Sequence, residues 1–418
     1  MSTPQQLNGS EHVVVINRWA EHYADFERYL DHRVHRVTYV STEVGLAAVP
    51  REATEVVTVQ ATDNLAEVAN AVEGLARRHG APDRIVALKE DDLLVGAGLR
   101  DKWGVPGPSV DQLLPFRDKF LMAARVAEAG VEIPSFALVT AAGAVRGFAE
   151  YVGWPVIVKP TTGSSSAGVV RLDGPADLHR LSFAAGPQMV QAFNPHQIYH
   201  VDGVFTGERL LVLRASRYLN NPLDFRSGGF LGSTEESDPY ITGIIAEFAL
   251  GVMRALTDQA LVFHLEVFVD ADTGSCAFME VGARVGGAEI PLLWREVHGY
   301  DLMETAFRIQ LGLEIDEEVP PIPDEVGGWL LISAPTDRPC RITEVTPMVG
   351  RHPGPYAEAL LTAGEVLPDA DSYYEHVGGR FRFRGRSSQD VEEAIRTVAA
   401  EFQVRAEPVD LVHATPND

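Results

Sequence analysis

Two glutamates and an arginine stand in otherwise hydrophobic sequence at HLEVFVDADTGSCAFMEVGARVGG, residues 264–287. The run reads as two β-strands around a turn. On the first strand Phe263, Leu265, Val267 and Val269 share an apolar face, while His264 and Glu266 point the other way. On the second, Ala277, Met279 and Val281 are expected to form the matching face, with Glu280 opposite to it. A slip of one residue would expose a whole apolar row, so the register should pair these faces and set Glu266 directly opposite or diagonal to Glu280. Gly274 suits a short turn that needs one residue at positive φ. Carboxylates that close raise each other's pKa unless a cation lies between them. Mg2+ is the economical cation, because it takes one or two protein carboxylates and completes its shell with waters and phosphates. An exposed hairpin with a charged solvent face is the plain alternative. Arg284 weighs against that alternative: Gly282, Gly286 and Gly287 around it allow close approach, and a guanidinium suits a carboxylate or a developing phosphate.

Two lysines add to this set. Lys159 ends the hydrophobic run VIVK, and the PTTGSSSAGV that follows can offer backbone N–H groups and hydroxyls to phosphate oxygens. The spacing is not GxxxxGK[ST], which disfavours a P-loop, and a plain Ser/Gly surface turn is the competing reading. Lys119 falls in the first turns of its helix, where the helix dipole disfavours a cation unless an anion lies near. Arg226 is a candidate carboxylate binder in LNNPLDFRSGGFLGSTEESDPY, a stretch without period that is expected to be a loop. Glu90 follows the strand-like DRIVAL, where a parallel sheet exposes its carboxyl ends to a cleft.

These residues need a scaffold, and the chain supplies alternating elements. HVVVIN, RVTYVST, VVTVQ and DRIVAL read as strands, with helices expected over WAEHYADFERYLDHR and NLAEVANAVEGLARRHG. That alternation predicts a Rossmann-like parallel sheet in an N-terminal α/β domain, residues 1–112. No GxGxxG opens it, so a dinucleotide site has no support. The Pro/Gly-rich WGVPGPSVDQLLP marks a boundary. A central unit, 113–312, runs from RDKFLMAARVAEAG through the hairpin, and EIDEEVPPIPDE introduces a smaller C-terminal α+β domain, 313–418.

Composition narrows the class. The 418 residues are 45% hydrophobic, enough for several cores, and the net charge of −24 disfavours nucleic acid and anionic membranes. An anionic ligand must therefore meet a local cationic pocket. Cys276 and Cys340 alone make no disulfide framework, and no long apolar run stands out. A cytoplasmic protein is expected.

Taken in order, RDKFLMAARVAEAGVEIP, VIVKPTTGSSSAGV, MVQAF, YHVDGVF, FHLEVF and FMEVGARVGG resemble the ATP-grasp superfamily of carboxylate-amine ligases over about 113–312. Within it the chain is similar to L-amino acid ligases, and more distantly to D-alanine:D-alanine ligase and biotin carboxylase. The resemblance implies an ATP-grasp fold between the flanking domains. It implies an amide or peptide bond made from a small-molecule carboxylate and an amine, through an acyl phosphate, with release of ADP and phosphate. It assigns ATP phosphates to Lys119, Lys159 and the loop of Gly163, Ser164, Ser165, Ser166 and Gly168. Adenine falls to Gln191, Ala192 and Phe193, chiefly through main chain. Magnesium, or manganese in its place, falls to Glu266 and Glu280. Arg284 would stabilise the acyl phosphate, and His264, Arg226 and Gly287 would face the substrate. Two departures stand out: Gly282 replaces a common metal-ligand Asn, and the usual ribose-binding acid is missing, leaving Gln197 or Asp202 as substitutes. A carrier-tethered partner, or a nucleotide-binding module without catalysis, are the competing functions. A homodimer is the superfamily analogy.

Overall fold

The computed structural model describes residues 7, 9–19, 23–164, 166–227, 229–319, 324–368 and 377–409. Its first sheet is parallel, with β1 (His12–Asn17), β2 (Arg36–Ser41), β3 (Glu55–Thr58) and β4 (Arg84–Ala87) in the order β3-β2-β1-β4. The apolar runs that predict the strands also bury them: Val13, Val14, Val15, Ile85 and Val86 are inaccessible. Around the sheet lie α1 (Phe26–Tyr29), α2 (Leu65–His79), α3 (Leu93–Trp103) and α4 (Val110–Leu113). Asn64 caps α2 by accepting from Ala66 N and Glu67 N, and Gly80 at φ 89° ends it. Of the helix expected over WAEHYADFERYLDHR, residues 20–22 lie outside the described residues, and among the rest only α1 is helical, because Asp25 begins it without a side-chain cap and Leu30 leaves it in extended backbone. The Pro/Gly-rich segment is more structured than a linker, since Ser109 and Gln112 close a capping box at α4.

The central part opens with α5 (Lys119–Glu128), capped by Asp118, and a second sheet in the order β5-β8-β6-β7. Its strands are β5 (Phe136–Val139), β6 (Val156–Pro160), β7 (Val170–Leu172) and β8 (Gln188–Ala192), backed by α6 (Ala142–Val152). An eight-stranded antiparallel sheet follows. It takes in β9 (Gln197–Phe205), β10 (Leu210–Tyr218), β11 (Phe230–Glu235), β12 (Leu261–Asp270), β13 (Ser275–Gly282) and β14 (Val326–Ser333). With β16 (Ala357–Leu360) and β18 (Val377–Gly385) it runs β13-β12-β9-β10-β11-β14-β18-β16. Strands on both sides of residue 312 therefore share one sheet. A small sheet of β15 (Cys340–Val345), β17 (Val366–Leu367) and β19 (Val404–Pro408), with α10 (Ser388–Glu401), completes the C-terminal part. The loop expected over 219–240 instead contains β11, whose Gly232 fits against Ile395 and whose partners are β10 and β14.

Helices α7 (Pro239–Leu256), α8 (Ile290–Glu296) and α9 (Leu302–Gln310) pack the sheets. The apolar stretch of α7 is longer than expected, with a mean hydropathy of 1.3 over 18 residues. It presents Ile245, Ala249, Val252 and Met253 to the core with Phe263, Leu265 and Phe278, as the buried face of a packed helix does. The parallel sheet is tied to α9 by Phe26 and Phe307, ring centroids 5.9 Å apart. The Gln310 amide completes β4, accepting from Ala87 N at 2.8 Å and donating to Ala87 O at 2.6 Å. That clamp fixes where the chain leaves β4 toward Lys89 and Glu90.

Candidate functional site

The hairpin of β12 and β13 pairs Glu266 directly with Glu280. Gly274 turns it at φ 71°. The inward face of β13 differs from the expectation. A bulge at Met279 shifts the register, so Phe278 pairs with Val267 and is buried together with Val281, while Ala277 and Met279 are only partly covered. One extra residue on a strand bends it and turns neighbouring side chains together. Here it sets Met279 and Glu280 side by side in the wall of a cavity of about 910 Å3.

That cavity gathers Glu266, Glu280, Lys119, Lys159, Arg284 and His264 from strands and helices far apart in sequence. Lys119, the first residue of α5, ion-pairs with Glu280 and donates to Gly163 O at 3.2 Å. Lys159, 5% exposed near the end of β6, has its pKa pulled down by burial, against the opposing pull of Glu280. Burial would raise the Glu280 carboxyl, but Lys119, Lys159 and Arg284 outweigh it and hold the group at about 2. Glu266 accepts from Tyr218 Oη at 3.0 Å through one oxygen. Among the described residues its second oxygen has no partner.

Arg284 is aimed by the segment that follows β4. Its Nε and Nη2 reach Glu90 Oε2 at 2.8 and 2.7 Å, and its Nη1 donates to Val285 O at 3.0 Å. Glu90 Oε1 in turn accepts from Arg117 at 2.7 Å, and Arg117 also holds Asp91 at 2.8 Å. Asp91 binds Arg18 at 2.9 Å and accepts from Ser164 Oγ at 3.1 Å. This chain couples the ends of β1 and β4 to the Gly/Ser loop and to Arg284. Sequence reading picked out Glu90 but not Asp91, Arg117 or Arg18. The available signal was their place beyond the carboxyl ends of parallel strands.

The remaining expected positions divide. Gly163, Ser164 and Ser166 line the cavity, whereas Ser165 lies outside the described residues. Gly168 is not in the wall: its φ of 72° and a Cβ that would sit 2.9 Å from Pro160 Cγ make it a turn residue. Gln191, Ala192 and Phe193 line the cavity, but the N–H groups of Ala192 and Phe193 already donate to Ser135 O and Pro155 O at 2.8 and 3.3 Å. Of the two substitutes for the ribose acid, Gln197 lines the cavity and Asp202 does not. Asp202 is buried between two imidazoles, His200 at 2.6 Å and His264 at 2.8 Å, and both hold its carboxyl below the usual range against the effect of burial. The three are the one compact group of metal-type ligands among the described residues, but every Asp202 oxygen is already engaged. Arg226 lies in a described turn of backbone, and its side chain falls outside the described part. Gly287 is in the wall, with open space where a Cβ would stand. At Gly282 a Cβ would meet Arg284 Cγ at 3.4 Å and Glu90 Cδ at 3.9 Å, so the Arg284–Glu90 pair flanks this position.

Gly286 is the tightest of these glycines. A Cβ there would lie 2.4 Å from Asp202 Oδ1, 2.6 Å from Ile290 Cδ1 and 2.9 Å from His264 Nδ1. Gly286→Ala is expected to destabilise the fold by about 1–3 kcal/mol, as overpacking does. The measurement is denaturant unfolding of the two proteins side by side; equal midpoints would show that the Asp202 clamp yields freely.

No family model matches the chain. Among curated proteins, 285 residues are 26% identical to the L-arginine-specific L-amino acid ligase of Bacillus subtilis, covering 64% of this chain and 66% of that relative's length. The L-amino acid ligase of Bacillus licheniformis superposes with a TM-score of 0.73 at 16% identity, over 96% of this chain and 99% of that one. The biotin carboxylase domain of Hydrogenobacter thermophilus 2-oxoglutarate carboxylase, solved as a dimer with MgADP, ADP and bicarbonate, gives 0.66 at 14% identity, over 96% and 92%. The fold of this protein is thus that of the L-amino acid ligase and the biotin carboxylase domain. In sequence it is similar to one L-amino acid ligase over 285 residues.

Proposed function

We propose that the chain is an ATP-dependent, ADP-forming carboxylate-amine ligase that uses an amino acid to make an amide or peptide bond, as its relatives' names suggest. The observation that carries this reading is the direct pairing of Glu266 with Glu280 inside a cavity ringed by Lys119, Lys159 and Arg284. Two facing carboxylates fit a magnesium ion by donor chemistry. Glu266 has a spare oxygen and Glu280 draws the Lys119 ammonium to itself, as an anion seeking a cation does. Glu266 and Glu280 would hold Mg2+, or Mn2+, and the ion when bound neutralises phosphate charge.

In the first step a substrate carboxylate oxygen forms a bond to the γ-phosphorus while the bond to ADP breaks. Lys119 and Lys159 balance charge on the phosphates, and Gly163, Ser164 and Ser166 adjoin them, with Ser164 tethered to Asp91. In the second, the amine nitrogen bonds to the acyl carbon, phosphate leaves with its electron pair, and the amine gives up a proton. Arg284, held rigid by Glu90, faces the oxygen charge that develops in both steps. The units 1–112, 113–312 and 313–418 would act together in a cytoplasmic enzyme, and the dimeric biotin carboxylase domain supports assembly in pairs.

Incubation of pure protein with ATP, Mg2+ and amino acids, singly and in pairs, is expected to release phosphate only with particular pairs. Mass spectrometry should show an amide product. ATP binding without substrate-dependent ADP formation across the panel would sink the ligase reading and leave a nucleotide-binding module.

A further inference from the structure

Lys89 has no assigned task and an unusual position. It follows β4, lines the same cavity as Arg284, and stands beside Glu90, which grips that arginine. Among the described residues its ammonium forms no hydrogen bond or ion pair; its one close contact is the Trp19 ring, 5.9 Å from Nζ to centroid. The nearby Asp91 carboxylate is occupied by Arg117 and Arg18, and Arg18 also approaches Asp92 at 3.7 Å. Burial, then the cationic Arg18, pull the Lys89 pKa down against the opposing pull of Asp92 and Asp91, which only partly balance the ammonium.

The wall continues from this lysine. Trp19 meets Tyr23 edge-on, ring centroids 5.0 Å apart, and Tyr23 Oη accepts from Arg380 at 2.9 Å. Arg380 comes from β18 and lines the cavity too, backed by Glu289 at 3.6 Å. Among the described residues the buried indole N–H of Trp19 has no acceptor. One corner therefore offers two cations and two aromatic rings, assembled from β4, the end of β1 and β18. The phosphates are accounted for elsewhere, by Lys119 and Lys159, and the reacting acyl group by Arg284.

We infer that Lys89, with the Trp19–Tyr23–Arg380 wall, receives a free substrate carboxylate, one that is not activated in the reaction. The inference rests on the ligase reading. Two substrates could bring that group: an amino acid that supplies the attacking amine, through its α-carboxylate, or an activated acid with a second carboxylate. Among the described residues Lys89 has no hydrogen-bond or ion-pair partner in this corner.

Lys89→Met keeps the length and apolar stem of the side chain and removes the charge. Its kcat/KM would be measured with the amine substrate as free acid and as carboxamide, and with the acid substrate as dicarboxylate and as half-amide. The expected result is a fall of about 10- to 100-fold for the free-acid member of one pair, the scale of a lost charged hydrogen bond, with the amide member changed less than about 2-fold. A fall confined to the amine pair assigns the α-carboxylate, and one confined to the acid pair assigns a second carboxylate. Equal falls within both pairs, or none, overturn the proposal, and unchanged ATP affinity certifies that the variant is folded. Calorimetric binding of the same compounds separates the two readings. Preference for free acid over amide that vanishes in Lys89→Met, without any ADP formation, keeps the carboxylate site and removes the ligase; turnover without that preference does the reverse.

Discussion

Glu280→Gln is expected to lower kcat/KM by about 10^3-fold or more, the scale of removing one preorganised charge from a site where phosphate charge develops. Glutamine fills the same volume and keeps one oxygen, so the bulged strand stays as it is. What disappears is the negative charge that balances Lys119 and Lys159 and that faces Glu266 across the hairpin. Those two lysines are 8% and 5% exposed, and in the variant they stand as mutually repelling buried cations. Magnesium-supported ATP binding should weaken in parallel, and a magnesium titration of ATP affinity reads that loss apart from turnover. Turnover and magnesium dependence both at the wild-type level would remove the basis of the proposed mechanism.

Arg284→Met is expected to cost about 10^2- to 10^3-fold in kcat, with little change in ATP affinity, because in the proposed mechanism the guanidinium serves the acyl group and not the nucleotide. Arg284→Lys should recover little of it. A single ammonium cannot reproduce the fork that reaches Glu90 through Nε and Nη2 while Nη1 is held by Val285 O. Glu90→Gln tests whether the segment that follows β4 aims the arginine. Alone it should cost about 10-fold, and combined with Arg284→Met it should add almost nothing, since residues acting through one contact are not additive. Fully additive losses in the double variant would mean that Glu90 serves some purpose other than positioning Arg284. Arg117 remains on Glu90 in the Arg284 variants, so the buried carboxylate is not stranded there.

Much of this was legible in the chain because it depends on local period. Strand alternation in LVFHLEVFV separates Glu266 from its apolar neighbours, and a glycine at 274 closes the hairpin, so the facing carboxylates follow from pleat geometry alone. The apolar runs of β1 and β4 and the capped period of α2 likewise announce a parallel α/β sheet. The bulge at Met279 was not legible. Alternation assigns Ala277 and Met279 to the core, and only the packing of Phe278 against Val267 and the α7 core shows that one residue is inserted. The Gly-rich stretch before Glu235 hid β11 for a similar reason: Gly232 and Ser233 have little strand preference, and their pairing is set by β10 and β14.

The sequence by itself determined the fold class, the carboxylate pair, the two lysines and the arginine, since residue type and spacing along one strand or helix suffice for these. Tertiary structure decided which partners complete them. Glu90 aims Arg284 from 194 positions away, Asp202 is held between two histidines outside the cavity wall, and Lys89 and Arg380 line one cavity from opposite ends of the chain. Charge pairing acts through space and falls off within a few ångströms, so its partners are fixed by how sheets and helices pack and leave no period in the chain to be read.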